Sequence, residues 1–295
     1  MVTPTPRSAN EFIEQELDRR AEALTQMFNA DILGFSGLLL FGVDDVVRNV
    51  IEGMRQKSQS YNKLVVILTS VGGYIEVVQR LVDTFRHHYE IVDFVVPNSA
   101  LSASTVLVMS GDAIHMNYYS RLGPIDPQVD TAKGRVPALG YLVQWERLVK
   151  KAREGKLTTA EAQLMIDGFD QAELYQYEQA RELSITLLKE WLAKYKFKNW
   201  RVTQTRKKPV TKKMRTDRAE EIARELNKTE KWHSHGYGIS MEVLRRDLNL
   251  LIDDFDEKPE VGAKIKDYHS LLDDYMIKRG NTGVLHTVGQ YVPFM

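Results

Sequence analysis

Two turns rich in glycine and serine carry the residue types from which a hydrolytic site can be built. The first, TSVGG at residues 69–73, follows an apolar run and precedes a segment with helical spacing. Glycines in such a turn let the backbone bend tightly and direct N–H groups towards a ligand at the start of the helix, where they can hold a phosphate or a developing oxyanion. A turn with a purely structural role accounts for this motif equally well.

The second turn, PNSALSAST at residues 97–105, also lies between an apolar run and a helical segment. A serine hydroxyl at such a place can be exposed above the edge of a sheet, while the N–H of the next residue helps to bind an oxyanion. The alternative is that Ser99 or Ser102 only caps the helix. Because both turns follow neighbouring strands, where α/β sheets place their ligands, we interpret them together as the site of a serine hydrolase.

The elements that position these turns are predicted to alternate between strand and helix. Continuous apolar runs are typical of strands buried on both faces of a parallel sheet, and the segments between them have helical spacing. The alternation implies right-handed β-α-β crossovers and an α/β core. The predicted strands lie at 32–40, 63–68, 91–96 and 113–117, and the predicted helices at 44–54, 74–89 and 100–109.

The two ends of the chain have a different pattern. Ser8 and Glu11 fit a capping box at the start of a helix that ends near Phe28. After Gln128 the strand signal fades and helices are predicted, one of them unbroken from Thr158 to about Tyr195. We divide the chain into an N-terminal helix (1–29), a core (30–135) and a mainly helical extension (136–295), part of which completes the core or forms oligomer contacts.

Composition excludes several classes of function. The 295 residues carry 40 basic and 40 acidic side chains, so no global charge favours nucleic acid or an anionic membrane as the main partner. Cysteine is absent, which excludes disulfides, thiolate catalysis and thiolate metal sites. No run approaches the roughly 18–20 apolar residues that span a bilayer, and the N-terminus lacks an apolar signal region. We expect a cytoplasmic protein without a membrane partner and without a cofactor.

Three motifs together resemble those of a known family: SVGG at 70–73, ALSAST at 100–105 and LGPIDPQ at 122–128. They are similar to motifs of the serine dehydrogenase proteinase family, which belongs to the ClpP/crotonase superfamily and is related to signal peptide peptidase A. The similarity spans roughly residues 30 to 130, with a weaker counterpart in HSHGYGI at 233–239. The 29 positions between Gly73 and Ser102 also resemble the spacing of oxyanion glycine and nucleophile in ClpP-type peptidases.

This resemblance implies a ClpP/crotonase-like spiral of β-α-β units and a serine peptidase that acts on a peptide or protein substrate. Ser102 would be the nucleophile, and the N–H groups of Gly73 and Ala103 would form the oxyanion hole. Folds of this kind assemble into homo-oligomeric rings or stacked trimers, and the resemblance leaves room for a partner ATPase or regulatory protein.

The sequence does not identify the group that activates Ser102. ClpP places a histidine about one strand beyond its serine, but residues 123–128 contain no histidine. Asp126 lies there and can orient a partner, although a carboxylate is a poor lone base for a serine hydroxyl. His235, with His233 beside it, is a candidate base if the C-terminal helices fold back over the site. A metal at these two histidines is disfavoured because no recognised ligand spacing surrounds them.

Lysine is the base in signal peptide peptidases. Lys150, Lys151 and Lys156 lie at suitable distances along this sequence, but each is in a charged helical segment that favours a solvated side chain.

Two features support alternatives to a peptidase. Relatives usually carry glycine where this chain has Ser104, and this departure, with the missing histidine, raises the alternative of a catalytically impaired scaffold or assembly protein. A crotonase-like acyl-CoA enzyme is a third alternative.

The segment 194–215 holds ten Lys or Arg with Phe197 and Trp200 among them, a pattern typical of nucleic-acid patches. Because three glutamates follow closely and the net charge is zero, we favour a solvated connector, with nucleic acid unlikely as a partner.

Overall fold

The computed structural model of the protein describes residues 8–56, 61–125, 128–131, 134–203, 206–232 and 237–295. In chain order, its strands are β1 (Asp31–Ser36), β2 (Lys63–Thr69), β3 (Ile91–Val95), β4 (Ser99–Ala100), β5 (Ala113–Met116), β6 (Arg121–Leu122), β7 (Gln128–Thr131), β8 (Gly134–Pro137), β9 (Ile239–Ser240), β10 (Asp253–Asp254), β11 (Val284–Thr287) and β12 (Gln290–Pro293).

The helices alternate with the strands in the first half of the chain and dominate the second half. They are α1 (Ala9–Phe28), α2 (Val43–Arg55), α3 (Ile75–His88), α4 (Ala103–Met109), α5 (Ala138–Arg153), α6 (Thr159–Gly168), α7 (Gln171–Trp191), α8 (Lys212–Leu226), α9 (Thr229–Trp232), α10 (Met241–Leu248) and α11 (Pro259–Lys278). A π-helical turn at Leu192–Lys196 extends α7, and a 3₁₀ turn at Phe255–Glu257 precedes α11.

The main sheet has seven strands in the order β10-β5-β3-β2-β1-β11-β12. The strands from β10 to β1 are parallel, whereas β11 and β12 are antiparallel to their neighbours. The predicted α/β fold with a parallel sheet is therefore confirmed. Smaller sheets are formed by β4-β6-β9 and by the β7-β8 hairpin.

Helices cover both faces of this sheet, which explains the continuous apolar run of β2. Alternate residues of β2 point to opposite faces. Leu64 and Val66 pack in the cluster that contains α2, α3 and α4, whereas Val65 and Ile67 pack in the cluster that contains α1 and α11. The Ser8 cap of α1 is also as predicted, since its hydroxyl accepts a hydrogen bond from the N–H of Glu11 at 3.2 Å.

One expectation for the second half of the chain is wrong and another is incomplete. Short strands occur after the strand signal fades at Gln128, and β11 and β12 extend the main sheet beyond β1; each has only four residues, too few to show a clear period in the sequence. The predicted helix at 158–195 is divided into α6 and α7. The carboxylate of Asp170 accepts hydrogen bonds from the N–H groups of Ala172 and Glu173, and so begins a new helix there.

Among the residues that the structure describes, no helix is long and apolar enough to cross a membrane.

Candidate active site

Ser102 has an unusual backbone conformation. It lies between β4 and α4 with φ 54° and ψ −124°, a region that side-chain-bearing residues rarely adopt and that costs about 1–3 kcal/mol. Its side chain accepts no hydrogen bond from the N–H groups of α4, although the residue stands at the N-cap position. The capping alternative therefore does not explain this serine.

The TSVGG turn is fixed directly against the serine turn. The N–H of Ser70 donates to the carbonyl of Ser99, and the N–H of Leu101 donates to the carbonyl of Ser70, both at 2.9 Å. Gly72 has φ +109°, and a Cβ at this position would lie 2.9 Å from the Cβ of Ser102. Only glycine allows the two turns to approach this closely.

The LGPID turn supports the serine turn from a third direction. The hydroxyl of Thr105 lies 2.9 Å from the carbonyl oxygen of Ala100 and 3.0 Å from that of Gly123. The same hydroxyl oxygen accepts a hydrogen bond from the N–H of Gly123 at 2.9 Å. Thr105 thus joins β4, α4 and the turn after β6, which are the elements around Ser102.

Two backbone N–H groups close to Ser102 are left without a partner in the described secondary structure. Leu39 bonds to the residues on either side of Gly73, by donating to the carbonyl of Gly72 at 3.0 Å and accepting from Tyr74 at 2.9 Å. In parallel pairing this turns the N–H of Gly73 away from Leu39. Ala103 is the first residue of α4, so its N–H has no acceptor within the helix. In the described part of the chain, neither N–H has an acceptor.

These groups form one wall of a cavity of ≈ 550 Å³. Gly73, Ser102 and Ala103 lie on that wall, and Val106 and Ile125 add apolar surface. The opposite wall is one face of α7, made of residues with helical spacing: Tyr175, Gln176, Gln179, Ala180, Leu183 and Ser184. A serine hydroxyl and two N–H donors beside a cavity of this size can together bind and attack a carbonyl group.

The face of α7 was missed in the sequence. Its spacing marks a helical face, but charged residues surround it and nothing in the sequence indicates which turn it faces. Ser70 was also not predicted to contribute beyond its turn. Its hydroxyl accepts the N–H of Gly72 at 3.2 Å and so holds the glycine that contacts Ser102.

The described lining contains three ionisable side chains, Tyr74, Glu76 and Tyr175; Glu76 and Tyr175 are exposed to solvent, and Tyr74 is partly buried. The predicted Asp126 and His235 lie outside the described residues, as does His233. The residues next to them are described: Ile125 lines the cavity, and Ile239 in β9 pairs with Leu122 in β6.

The three lysines considered as bases do not line the cavity. Lys151 forms an ion pair with Glu161, and Lys156 pairs with Glu154 at 2.9 Å. Lys150 is exposed on α5. Each is solvated or paired, as its charged surroundings in the sequence indicate.

Ser104 is the residue at which the motif departs from the family pattern. It is completely buried in α4, and its hydroxyl oxygen has no hydrogen-bond partner among the described residues. A buried polar group without a partner costs about 1–3 kcal/mol. The hydroxyl of Ser104 therefore makes no hydrogen bond to the described residues of the site, and leaving it unpaired lowers the stability of the fold.

No protein-family model and no curated protein sequence matches this chain. Among solved structures it is similar to a serine-to-alanine mutant of the 1510-N membrane-bound stomatin-specific protease, with 11% identity, TM-score 0.44 and coverage of 78% of this chain and 81% of the other. A lysine-to-alanine mutant of that protease in complex with a substrate peptide gives 15% identity, TM-score 0.41 and coverage of 85% and 80%. ClpP1 from Listeria monocytogenes gives 12% identity, TM-score 0.42 and coverage of 80% and 98%. At these values the similarities assign no activity to this chain.

Proposed function

We propose that the protein is a serine peptidase of the ClpP/crotonase superfamily, of the serine dehydrogenase proteinase type. The observation that carries the proposal is the strained conformation of Ser102, on the same cavity wall as the N–H groups of Gly73 and Ala103. A strained turn of this kind persists only where the surrounding structure holds it, and such turns are concentrated at active sites.

In the proposed reaction, the Oγ of Ser102 attacks the carbonyl carbon of a peptide bond while a base takes its proton. The N–H groups of Gly73 and Ala103 bind the negative oxygen of the tetrahedral intermediate, and each such donor contributes about 100- to 1000-fold in rate. The C–N bond then breaks, the amine leaves with the proton, and water hydrolyses the acyl-enzyme.

We propose His235 as the base and Asp126 as the group that orients it. Two observations on described residues support this: the chain returns to β6 at Ile239, and Ile125 lines the cavity next to Asp126 in sequence. Replacement of His235 by glutamine should lower the rate by about 100- to 10,000-fold, the usual contribution of a general base.

We further propose a peptide or protein substrate, a cytoplasmic location, a homo-oligomer and a partner ATPase or regulatory protein. The substrate, the homo-oligomer and the partner rest on the resemblance of the three motifs, and the location rests on a composition without cysteine, which suits a reducing compartment. A peptide is the substrate that fits a cavity with apolar patches, amide side chains and two oxyanion donors.

Hydrolysis of a quenched fluorescent peptide library and of an unfolded protein tests this function. The wild-type chain should cleave, and Ser102→Ala should not. Ser99→Ala, which removes a hydroxyl in the same turn, should retain activity. Cleavage that persists in Ser102→Ala would rule out the proposed nucleophile.

The second candidate is a catalytically impaired scaffold. The observation in its favour is that the described lining offers Tyr74, Glu76 and Tyr175 but no lysine or histidine, and that Ser104 is buried in the helix that follows Ser102. A folded, assembled wild-type chain that cleaves none of these substrates would favour the scaffold.

A further inference from the structure

A second cavity, of ≈ 710 Å³, lies between α7 and α8 and shares no lining residue with the cavity at Ser102. Four cationic side chains line it, Lys189, Lys194, Lys212 and Arg215, against one anionic side chain, Glu190. We propose that this cavity binds a compact, multiply charged anion of the class of oligophosphates and nucleotide phosphates.

Three of the four cations have no ion-pair partner among the described residues. Lys189 pairs with Glu220, but Lys194, Lys212 and Arg215 form no ion pair there. The Nε of Arg215 is buried, and it has no hydrogen-bond acceptor in the described ranges of the chain. An arginine keeps its charge at any ordinary pH, so this donor needs an acceptor to offset its loss of water. An anion in the cavity would provide one.

The start of α8 adds to this positive charge. Thr211 caps the helix by accepting the N–H of Met214 at 3.2 Å, and the first turn contains lysines but no acidic residue. The N-terminal end of a helix is itself positive, so cations there are repelled and anions are attracted. The sequence of this turn is unfavourable for an isolated helix, and it becomes favourable beside a bound anion.

Two other basic residues of the segment 194–215 are engaged in ion pairs and do not face the cavity. Lys198 pairs with Asp112, and Lys213 pairs with Asp217 at 2.6 Å. In the segment that was predicted to be a solvated connector, some basic residues thus form ion pairs and others line the cavity.

The aromatic residues of this segment do not present a stacking surface. Phe197 and Trp200 contact each other edge to face, with ring centroids 5.8 Å apart, and Phe197 also packs against the core. Single-stranded nucleic acids bind to basic grooves with open aromatic faces. The cavity volume is instead that of a small-molecule site, about 300–1000 Å³, which favours a compact anion.

Isothermal titration of the full chain with inorganic tripolyphosphate, at constant ionic strength near 0.15 M, tests the proposal. We expect saturable binding of one tripolyphosphate per chain. Arg215→Gln and Lys194→Gln should each weaken binding about tenfold or more. Lys213→Gln is the matched control, because it makes the same change of charge beside the cavity cations but its side chain pairs with Asp217.

Three results would overturn the proposal: no saturable binding, equal weakening by Lys213→Gln and Lys194→Gln, or tighter binding of a single-stranded oligonucleotide or of polyglutamate at the same ionic strength. Circular dichroism identifies any variant that does not fold. If Arg215→Gln is unfolded, the affinity of Lys194→Gln for tripolyphosphate tests the proposal instead. Lys194 is exposed, so its replacement leaves the core intact. Because the readout is binding, the result is independent of peptidase activity.

Discussion

At the scale of single residues, the site depends on backbone geometry more than on side-chain chemistry. Ser102 is held at φ 54° by hydrogen bonds from the turns before and after it, and Gly72 allows the closest of these turns to touch it. The sequence indicated the serine and both glycines from their types and spacing. It did not indicate that Gly72 makes the contact with Ser102 whereas the N–H of Gly73 is left without a strand partner among the described residues, because that division depends on the pairing with Leu39.

Gly72→Ala should therefore destabilise the fold by more than the backbone strain of a positive φ alone. Gly42 has φ +93°, and no atom of the described residues lies within 4 Å of the place of a Cβ, so Gly42→Ala isolates the backbone strain. We expect urea unfolding to show a loss of about 1 kcal/mol for Gly42→Ala. Gly72→Ala should cost at least 1–3 kcal/mol more, because its Cβ overpacks against the Cβ of Ser102. Equal losses in the two variants would show that the turns separate freely.

Neighbouring residues of α4 should respond in opposite directions when their hydroxyls are removed. Thr105→Val leaves the buried N–H of Gly123 without an acceptor and should cost about 1–3 kcal/mol. Ser104→Ala removes a hydroxyl that has no described partner and should be neutral or stabilising by up to about 1 kcal/mol. The free energy of unfolding in urea measures both. A clear destabilisation by Ser104→Ala would mean that this hydroxyl has a partner in the protein.

At the scale of secondary structure elements, the strands and helices that carry the site follow from local patterns. The runs of β2 and β3 are buried on both faces, and the sequence predicted both strands to within a residue. The division between α6 and α7 was missed because it depends on the cap at Asp170, and a single aspartate among many charged residues is a weak signal. The role of α7 as the far wall of the cavity is a long-range contact, which periodicity does not report.

The junction of β2, β3 and β5 provides a test of pairing within the sheet. Burial would raise the pKa of Asp93, but two basic side chains outweigh it and lower the pKa to about 2: His115, with its Nε2 3.6 Å from the carboxylate, and Lys63, with its ammonium 2.6 Å away. Since the folded-state pKa is below the unfolded value near 4, Asp93 stabilises the fold above about pH 4, and this contribution is lost as the pH falls towards 2.

Asp93→Asn should accordingly destabilise the protein by about 2 kcal/mol at pH 7, with a smaller difference from wild type below pH 3. Urea unfolding at several pH values measures this. Asp45→Asn is the control and should change stability by less than about 0.5 kcal/mol at every pH, because Asp45 is half-exposed and its ion pairs are at the surface. If the difference in unfolding free energy between Asp93→Asn and the wild type does not vary with pH, the lowered pKa of Asp93 is contradicted.

At the scale of the whole molecule, the second half of the chain returns to the first at two places. β11 extends the main sheet beside β1, and β9 pairs with β6 in the small sheet that also contains the strand before Ser102. The sequence did not reveal these returns because strands of two or four residues have no measurable period. The second return matters most, since it brings the described residues beside the HSHG segment to the elements around Ser102.

The proposed homo-oligomer is testable directly. Sedimentation velocity at micromolar concentration should show a species that is a multiple of the 33.9 kDa chain. Its sedimentation coefficient should stay constant on tenfold dilution if the assembly is stable. A monomer that cleaves peptides at full rate would contradict a role for assembly.

The most direct test of the central claim is covalent trapping of the nucleophile. The wild-type chain is incubated with a fluorophosphonate, and the site of the adduct is mapped by mass spectrometry of proteolytic fragments. We predict a single adduct on Ser102, absent after heat denaturation and absent in Ser102→Ala, with Ser99→Ala labelled at the wild-type rate. No adduct on the folded chain, or an adduct on another residue that persists in Ser102→Ala, would contradict the assignment of Ser102 as an activated nucleophile.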